Sequence, residues 1–319
     1  MSLTIACIGA GNVGRAWAMV FARAGHEVRL FDADPAVVRE RALPQIERNL
    51  ADLAAAGALA DPAAVRARIA VAESLEDALS GADHVQESIV EVEAAKRALF
   101  ARIDALVPAS TIIASSTSAI AGSRLFEALP GRARCLVAHP VNPPYLIPLV
   151  ELCATPWTDA AVLQRCREFM RLCGQRPVVL NKEIEGFLLN RLQFALVGEC
   201  LHLVAEGYCS VEDIDTVVTA GLARRWAFIG PFEVAHLNAT AGYAGFMQGL
   251  GDMVRKVAAD VRPDYPWDQA LVDRIHAQLA GRTPVSEIPD RQAWRDRQLL
   301  AVGRFVDALP MGSKDPHDP

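Results

Sequence analysis

The chain has 319 residues, 52% of them hydrophobic and 22% charged, with a net charge of -6. That length supports two domains with full-sized cores, and the composition excludes a disordered chain. The balance of charge carries no basic excess, which speaks against nucleic acid and anionic membrane surfaces as partners.

Residues 3–8 form an apolar, β-competent run, too short and too uncharged for a signal peptide. Residues 16–24 have helical spacing and stop at Gly25, and residues 27–31 read as the second strand. The stretch from 36 to about 68 is helical but interrupted by Pro44 and Gly57, which predicts a helical hairpin inserted between strands. Residues 69–72, 85–89, 111–114, 135–138 and 149–152 are further short strands, mostly separated by helices. Such alternation predicts an α/β fold with a Rossmann-type, doubly wound, mainly parallel sheet. After Val178-Val179-Leu180 the character changes: residues 186–207, 211–222, 233–250 and 293–309 read as helices, and no strand is expected. The boundary is placed in the polar hinge 181–185. This gives a nucleotide-binding domain over 1–183 and an all-helical domain over 184–319, whose tail 312–319 is expected to fray. The most apolar helical stretch, 187–204, is interrupted by Asn190, Arg191, Glu199 and His202 and so does not suit a bilayer. Seven cysteines with no Cys-x-x-Cys pair predict reduced thiols in a cytoplasm, with no disulfide framework and no metal site.

Gly9-Ala10-Gly11-Asn12-Val13-Gly14 fits G-x-G-x-x-G between a strand and a helix. Gly9 permits a tight turn, Gly11 lets the backbone approach a pyrophosphate, and Gly14 lets helix and strand pack closely. With Asn12 and Val13 opening the helix, this loop is the candidate cofactor site. Asp32 ends the second strand, 18 residues after Gly14, where a carboxylate accepts hydrogen bonds from the adenosine ribose. It would repel a 2'-phosphate, and no arginine follows in Ala33-Asp34-Pro35, so NAD is expected in preference to NADP.

His139 follows a strand, and Glu151 lies twelve residues on. An imidazole can take a hydroxyl proton while a carboxylate on its other nitrogen fixes the tautomer. Spacing does not bring the two together, and His139 read by itself fits a packing or capping histidine equally well.

Three strings carry a family resemblance. They are Ala138-His139-Pro140-Val141-Asn142-Pro143-Pro144-Tyr145 with Ile147-Pro148-Leu149-Val150-Glu151, then Gly186-Phe187-x-x-Asn190-Arg191-Leu192-Gln193, then Ala227-Phe228-Ile229-Gly230-Pro231. From Gly9 through Pro231 the chain resembles the L-3-hydroxyacyl-CoA dehydrogenase family, and most of all the branch containing lambda-crystallin and L-gulonate 3-dehydrogenase. The resemblance implies that His139 and Glu151 are the catalytic pair and that Ser118 and Asn190 surround the reacting oxygen. It implies Asn142 in the nicotinamide pocket and Glu91 and Lys96 on the cofactor ribose side. It also implies a substrate cleft between the domains and a homodimer formed through the helical one. Without it, Glu91 and Lys96 would read as a solvated pair and Ser118 as an ordinary cap.

One departure bears on substrate. Acyl-CoA enzymes of this family carry a lysine-rich hairpin, whereas residues 35–70 here contain no lysine, and Arg39, Arg41, Arg48, Arg66 and Arg68 are interleaved with Glu40, Glu47, Asp52 and Asp61. Arg224 and Arg225 stand where those enzymes have small residues, and a guanidinium such as that of Arg225 can hold a carboxylate. Surface charge is the competing reading of both. The expectation is NAD-dependent oxidation of a free L-3-hydroxy acid, as in the gulonate branch. The alternatives are an acyl-CoA thioester substrate and a non-catalytic, crystallin-like or cofactor-sensing role.

Overall fold

A computed structural model describes residues 2–309 of the chain, so the tail expected to fray at 312–319 lies outside the described residues. Strands β1 (Thr4–Ile8), β2 (Glu27–Phe31), β3 (Ile69–Val71), β4 (His84–Glu87), β5 (Ile112–Ser115), β6 (Cys135–Pro140), β7 (Leu149–Ala154) and β8 (Arg176–Leu180) form one sheet. Their order is β3-β2-β1-β4-β5-β6-β7-β8. Neighbours from β3 to β6 are parallel, β6 and β7 are antiparallel, and β7 and β8 are parallel again. The crossovers reverse direction between β1 and β4, the point where sheets of this kind bind ligands beyond the carboxyl ends of the strands.

Helices α1 (Asn12–Arg23), α2 (Leu43–Ala55), α3 (Pro62–Ala67), α4 (Leu75–Leu79), α5 (Glu93–Leu106), α6 (Gly122–Phe126) and α7 (Ala160–Leu172) accompany these strands. Side chains alternate across each strand and so feed two cores. Ile5 and Cys7 of β1 belong to one with Trp17, Phe21, Ile46 and Phe169, while Ala6 and Ile8 belong to the other with Leu79, Phe100 and Phe126. Complete burial of a side chain such as Phe21 contributes roughly 1.5–3 kcal/mol. α1 ends because Gly25 takes a left-handed φ of 92°, a conformation that costs glycine little.

The break expected at Pro44 does not occur. A π-helical turn, Val37–Ala42, leads straight into α2 with Pro44 in its first turn, where a missing N–H costs least. Gly57, at φ 69°, does end the helix.

α8 (Leu189–Ala205), α9 (Val211–Thr216), α10 (Ala223–Trp226), α11 (Pro231–Leu237), α12 (Gly242–Ala258), α13 (Gln269–Arg282) and α14 (Ile288–Asp307) make up the rest, and no described strand follows Leu180. α8 starts later than Gly186 because Gly186 and Phe187 both take left-handed φ values, 74° and 49°. The helix expected over 233–250 is two, α11 and α12, with Gly242 at φ 67° at the junction. α13 was not anticipated, since Leu271 is its one buried residue and its apolar stripe is thin.

The chain divides into two compact units. One runs to Asn190 and includes Leu299–Gly303; the other comprises Arg191–Gln298 and the chain from Arg304. In the second, Val204 and Leu271 are buried hydrophobics, while Leu192, Phe194, Phe228, Phe232 and Met253 are exposed. Among the described residues no helix is long and apolar enough to cross a membrane.

Candidate active site

The glycine loop joins β1 to α1 and has three distinct steric requirements. Gly9 sits at φ 96°, and a Cβ there would lie 2.6 Å from the Ser88 carbonyl oxygen. A Cβ on Gly14 would lie 1.8 Å from the Gly9 oxygen, so strand and helix can meet only without side chains. A Cβ on Gly11 would meet nothing within 4 Å. The first turn of α1 there has no side-chain cap and no acidic residue. Asn12 is exposed and Val13 half-buried. Free N–H groups at an uncapped helix start facing open space fit a pyrophosphate. Asp32 closes the loop from the side: its Oδ2 accepts the Ala10 N–H at 2.8 Å and its Oδ1 the Asp34 N–H at 3.2 Å. Lone pairs remain on both oxygens for ribose hydroxyls.

His139 and Glu151 face each other directly across the antiparallel β6–β7 pair. Nδ1 of His139 is 2.8 Å from Oε2 of Glu151, and the residues are 5% and 1% exposed. The other carboxylate oxygen accepts the N–H groups of Leu188 (2.8 Å) and Leu189 (3.0 Å) where α8 begins. Burial by itself would raise the Glu151 carboxyl, but the bonds from His139, Leu189 and Leu188 outweigh it and hold the group below the ordinary carboxylate range. With Glu151 ionised, the shared hydrogen belongs to Nδ1, so in the neutral ring Nε2 is the nitrogen that carries the lone pair. Phe187, buried and left-handed, packs its ring 5.2 Å from the imidazole. The same backbone turn aims the two N–H groups at Glu151, the kind of constrained conformation that clusters at functional sites.

Ser118 follows β5, and its loop is organised by Glu91. Oε1 of Glu91 accepts the N–H of Ser118 (2.8 Å) and of Ala119 (3.2 Å) together with the Thr117 hydroxyl. The Ser118 carbonyl in turn accepts Nδ2 of Asn190 at 2.9 Å, which brings Asn190 to this loop. Lys96 is not solvated. It is 1% exposed, and its Nζ meets Glu87 Oε1 at 2.7 Å, Glu91 Oε2 at 3.2 Å and the Ile89 carbonyl at 3.3 Å. Its three hydrogens are thereby matched by three protein acceptors. Burial raises Glu91, but Thr117, Lys96 and the Ser118 N–H outweigh it and leave the group below its ordinary range. Glu87 is fully buried and also accepts the Ser115 hydroxyl at 2.6 Å; burial pushes its carboxyl up against the pull of Lys96.

Asn142 is exposed just after β6, at a cis bond to Pro143. Arg225 is exposed on α10, in the second unit, with no carboxylate within ion-pair distance among the described residues. Sequence reasoning missed Glu87, Ser115, Thr117 and Phe187. A charged residue at the end of the run His84-Val85-Gln86-Glu87 was the available signal for Glu87. The left-handed Phe187 left none. The buried cysteines are poor nucleophiles, since burial pushes Cys166 and Cys173 up to about 12.

Comparison with known proteins gives the family. Residues 4–184 match the family described as 3-hydroxyacyl-CoA dehydrogenase, NAD binding domain, and residues 186–278 match its C-terminal domain. A lambda-crystallin homolog from Bos taurus is 39% identical over 311 residues, 96% of each chain. An L-carnitine dehydrogenase from Streptomyces griseus is 36% identical over 326 residues, covering 98% of this chain and 92% of that one. Among solved structures, the NAD-dependent 5-formyl-3-hydroxy-2-methylpyridine 4-carboxylic acid 5-dehydrogenase superposes with a TM-score of 0.84 at 29% identity, over 97% of this chain and 100% of that one. A glycine loop suited to a dinucleotide, a doubly wound sheet and matches along most of the length thus converge: the chain belongs to the 3-hydroxyacyl-CoA dehydrogenase family and is an NAD-dependent oxidoreductase.

Proposed function

We propose that the enzyme oxidises the 3-hydroxyl of a small L-3-hydroxy acid bearing a free carboxylate, L-gulonate being the leading candidate, with His139 as the base. The observation that carries this reading is the buried His139–Glu151 pair, which leaves Nε2 with a free lone pair. Bound NAD supplies the hydride acceptor at its nicotinamide. Nε2 of His139 takes the hydroxyl proton, and Glu151 orients the ring and stabilises the imidazolium. Ser118 and Asn190, already hydrogen-bonded to each other, hold the reacting oxygen. Asn142 lines the nicotinamide pocket. Glu91 faces the cofactor ribose, and Lys96 acts through Glu91. The two domains of this reading are 1–183, which holds the cofactor loop and the His139–Glu151 pair, and the helical 184–319. The exposed apolar side chains of the second unit support a homodimer formed through it. Seven free cysteines fit a cytoplasmic setting.

The free acid is favoured by the lysine-free hairpin and by the relatives named for L-carnitine, itself a free 3-hydroxy acid. An acyl-CoA thioester is the second reading, favoured by the description of the matched family. A crystallin-like, non-catalytic role is the third, since relatives carry that name. NADH formation over a panel of L-gulonate, L-carnitine, other free L-3-hydroxy acids and matching CoA thioesters separates all three. Turnover of free acids is expected. Efficient turnover of 3-hydroxybutyryl-CoA with none of the acids overturns the proposal, and no NADH from any substrate favours the non-catalytic role.

Two variants test the binding groups. Asp32→Ala is expected to weaken the preference for NAD over NADP, read as the ratio of kcat/KM with the two cofactors. Equal use of both by the unmodified enzyme would contradict the role of Asp32. Arg225→Met is expected to raise KM for the best acid about tenfold with a small change in kcat, because a charge-assisted contact is worth roughly 1.5–3 kcal/mol. Unchanged kinetics would remove Arg225 from the substrate site.

A further inference from the structure

A chain of buried and half-buried polar groups runs under the crossover point of the sheet, outside the groups already given roles. Nε2 of His84 lies 3.1 Å from Oε1 of Gln86. Nε2 of Gln86 donates to the Ser116 hydroxyl at 2.7 Å and faces the Ala138 carbonyl at 3.5 Å. Nε1 of Trp17 donates to the same hydroxyl at 3.1 Å, and the Ser116 and Ser88 oxygens are 2.9 Å apart.

Every direction in this chain is determined. A carbonyl only accepts, so Ala138 fixes which end of the Gln86 amide carries hydrogen. Oε1 of Gln86 then needs a donor, and His84 must hold its hydrogen on Nε2. Its Nδ1 is buried without a partner and accepts no proton readily, since burial lowers His84 to about 4. Ser116 receives hydrogen bonds from both Gln86 and Trp17, so its own hydrogen goes to Ser88. The hydrogen of Ser88 is left over, with no acceptor among the described residues. Ser88 is half-buried just past the end of β4, and its Cβ would lie 3.4 Å from a Cβ on Gly14 of the cofactor loop. A hydroxyl whose oxygen is engaged from behind presents its hydrogen forward, beside the loop that suits a pyrophosphate.

We propose that Ser88 is a further cofactor-binding residue, whose hydroxyl donates to an acceptor oxygen in the stretch of NAD between the pyrophosphate and the nicotinamide ribose. Trp17, Gln86 and Ser116 are positioning residues that hold it as a donor. The proposal rests on the glycine loop binding NAD. Direct binding of three probes to the intact protein tests it: NADH by fluorescence, and ADP-ribose and AMP by calorimetry. ADP-ribose contains the stretch in question and AMP does not. Ser88→Ala is expected to bind NADH and ADP-ribose about tenfold more weakly, the loss of one net hydrogen bond, with AMP affinity within about twofold. Its melting temperature without ligand checks that the fold is retained. Unchanged ADP-ribose affinity overturns the proposal, as does an AMP affinity that falls in step with it. An unmodified protein that binds no NADH would instead overturn the cofactor loop itself.

Discussion

His139→Gln is expected to lower turnover about a hundredfold or more while leaving NADH affinity within about twofold, because glutamine fills the space but takes no proton. Wild-type turnover in this variant would mean that another group takes the proton. Glu151→Gln is the companion experiment. It keeps the shape, removes the charge opposite the imidazole, and leaves the Leu188 and Leu189 N–H groups facing a neutral amide. Turnover is expected to fall, since the imidazole loses the charged partner that orients it. Wild-type turnover in Glu151→Gln would remove Glu151 from the proton transfer. Glu151 itself is held below the ordinary carboxylate range. Its ionised form therefore stabilises the fold above that range, and the contribution is lost as pH falls through the lowered value.

The second large effect concerns stability. Lys96→Met would leave Glu87 fully buried with no cation and would free Glu91 from one of its partners. Removing one member of a buried pair costs about 3–5 kcal/mol. Chemical denaturation is expected to register a loss of that order, together with lower turnover as the Ser118 loop loosens. A variant within about 1 kcal/mol of the unmodified protein would show that Glu87 takes up a proton without difficulty and that Lys96 is dispensable.

Strand positions and the glycine loop were legible because parallel strands buried on both faces leave continuous apolar runs, and because the three glycines meet three separate steric demands. The reversal at β7 left no such mark, since both faces of that strand are buried whichever way it runs. His139 and Glu151 stood out by residue type, but their contact depends on register, which twelve residues of spacing do not disclose. Lys96 and Glu91 read as a solvated pair without the resemblance, because a helix start is normally wet. What buries Lys96 is Glu87 on β4, a partner nine residues away in sequence and on a different element. The thin apolar stripe of α13 concealed it from periodicity.

The cross-strand pairing of the imidazole and its carboxylate makes the site sensitive to chain length as well as to residue type. Successive side chains of β6 point to opposite faces, so one residue added or removed between Cys135 and His139 turns the imidazole away from Glu151 without changing any residue of the pair. A second such change returns it to the same face, but roughly 7 Å along the strand from its place opposite Glu151. Among length variants of β6, odd changes turn the imidazole to the opposite face and even ones keep the face but move it two positions along the ladder, so either is expected to part a pair whose residues are all still present.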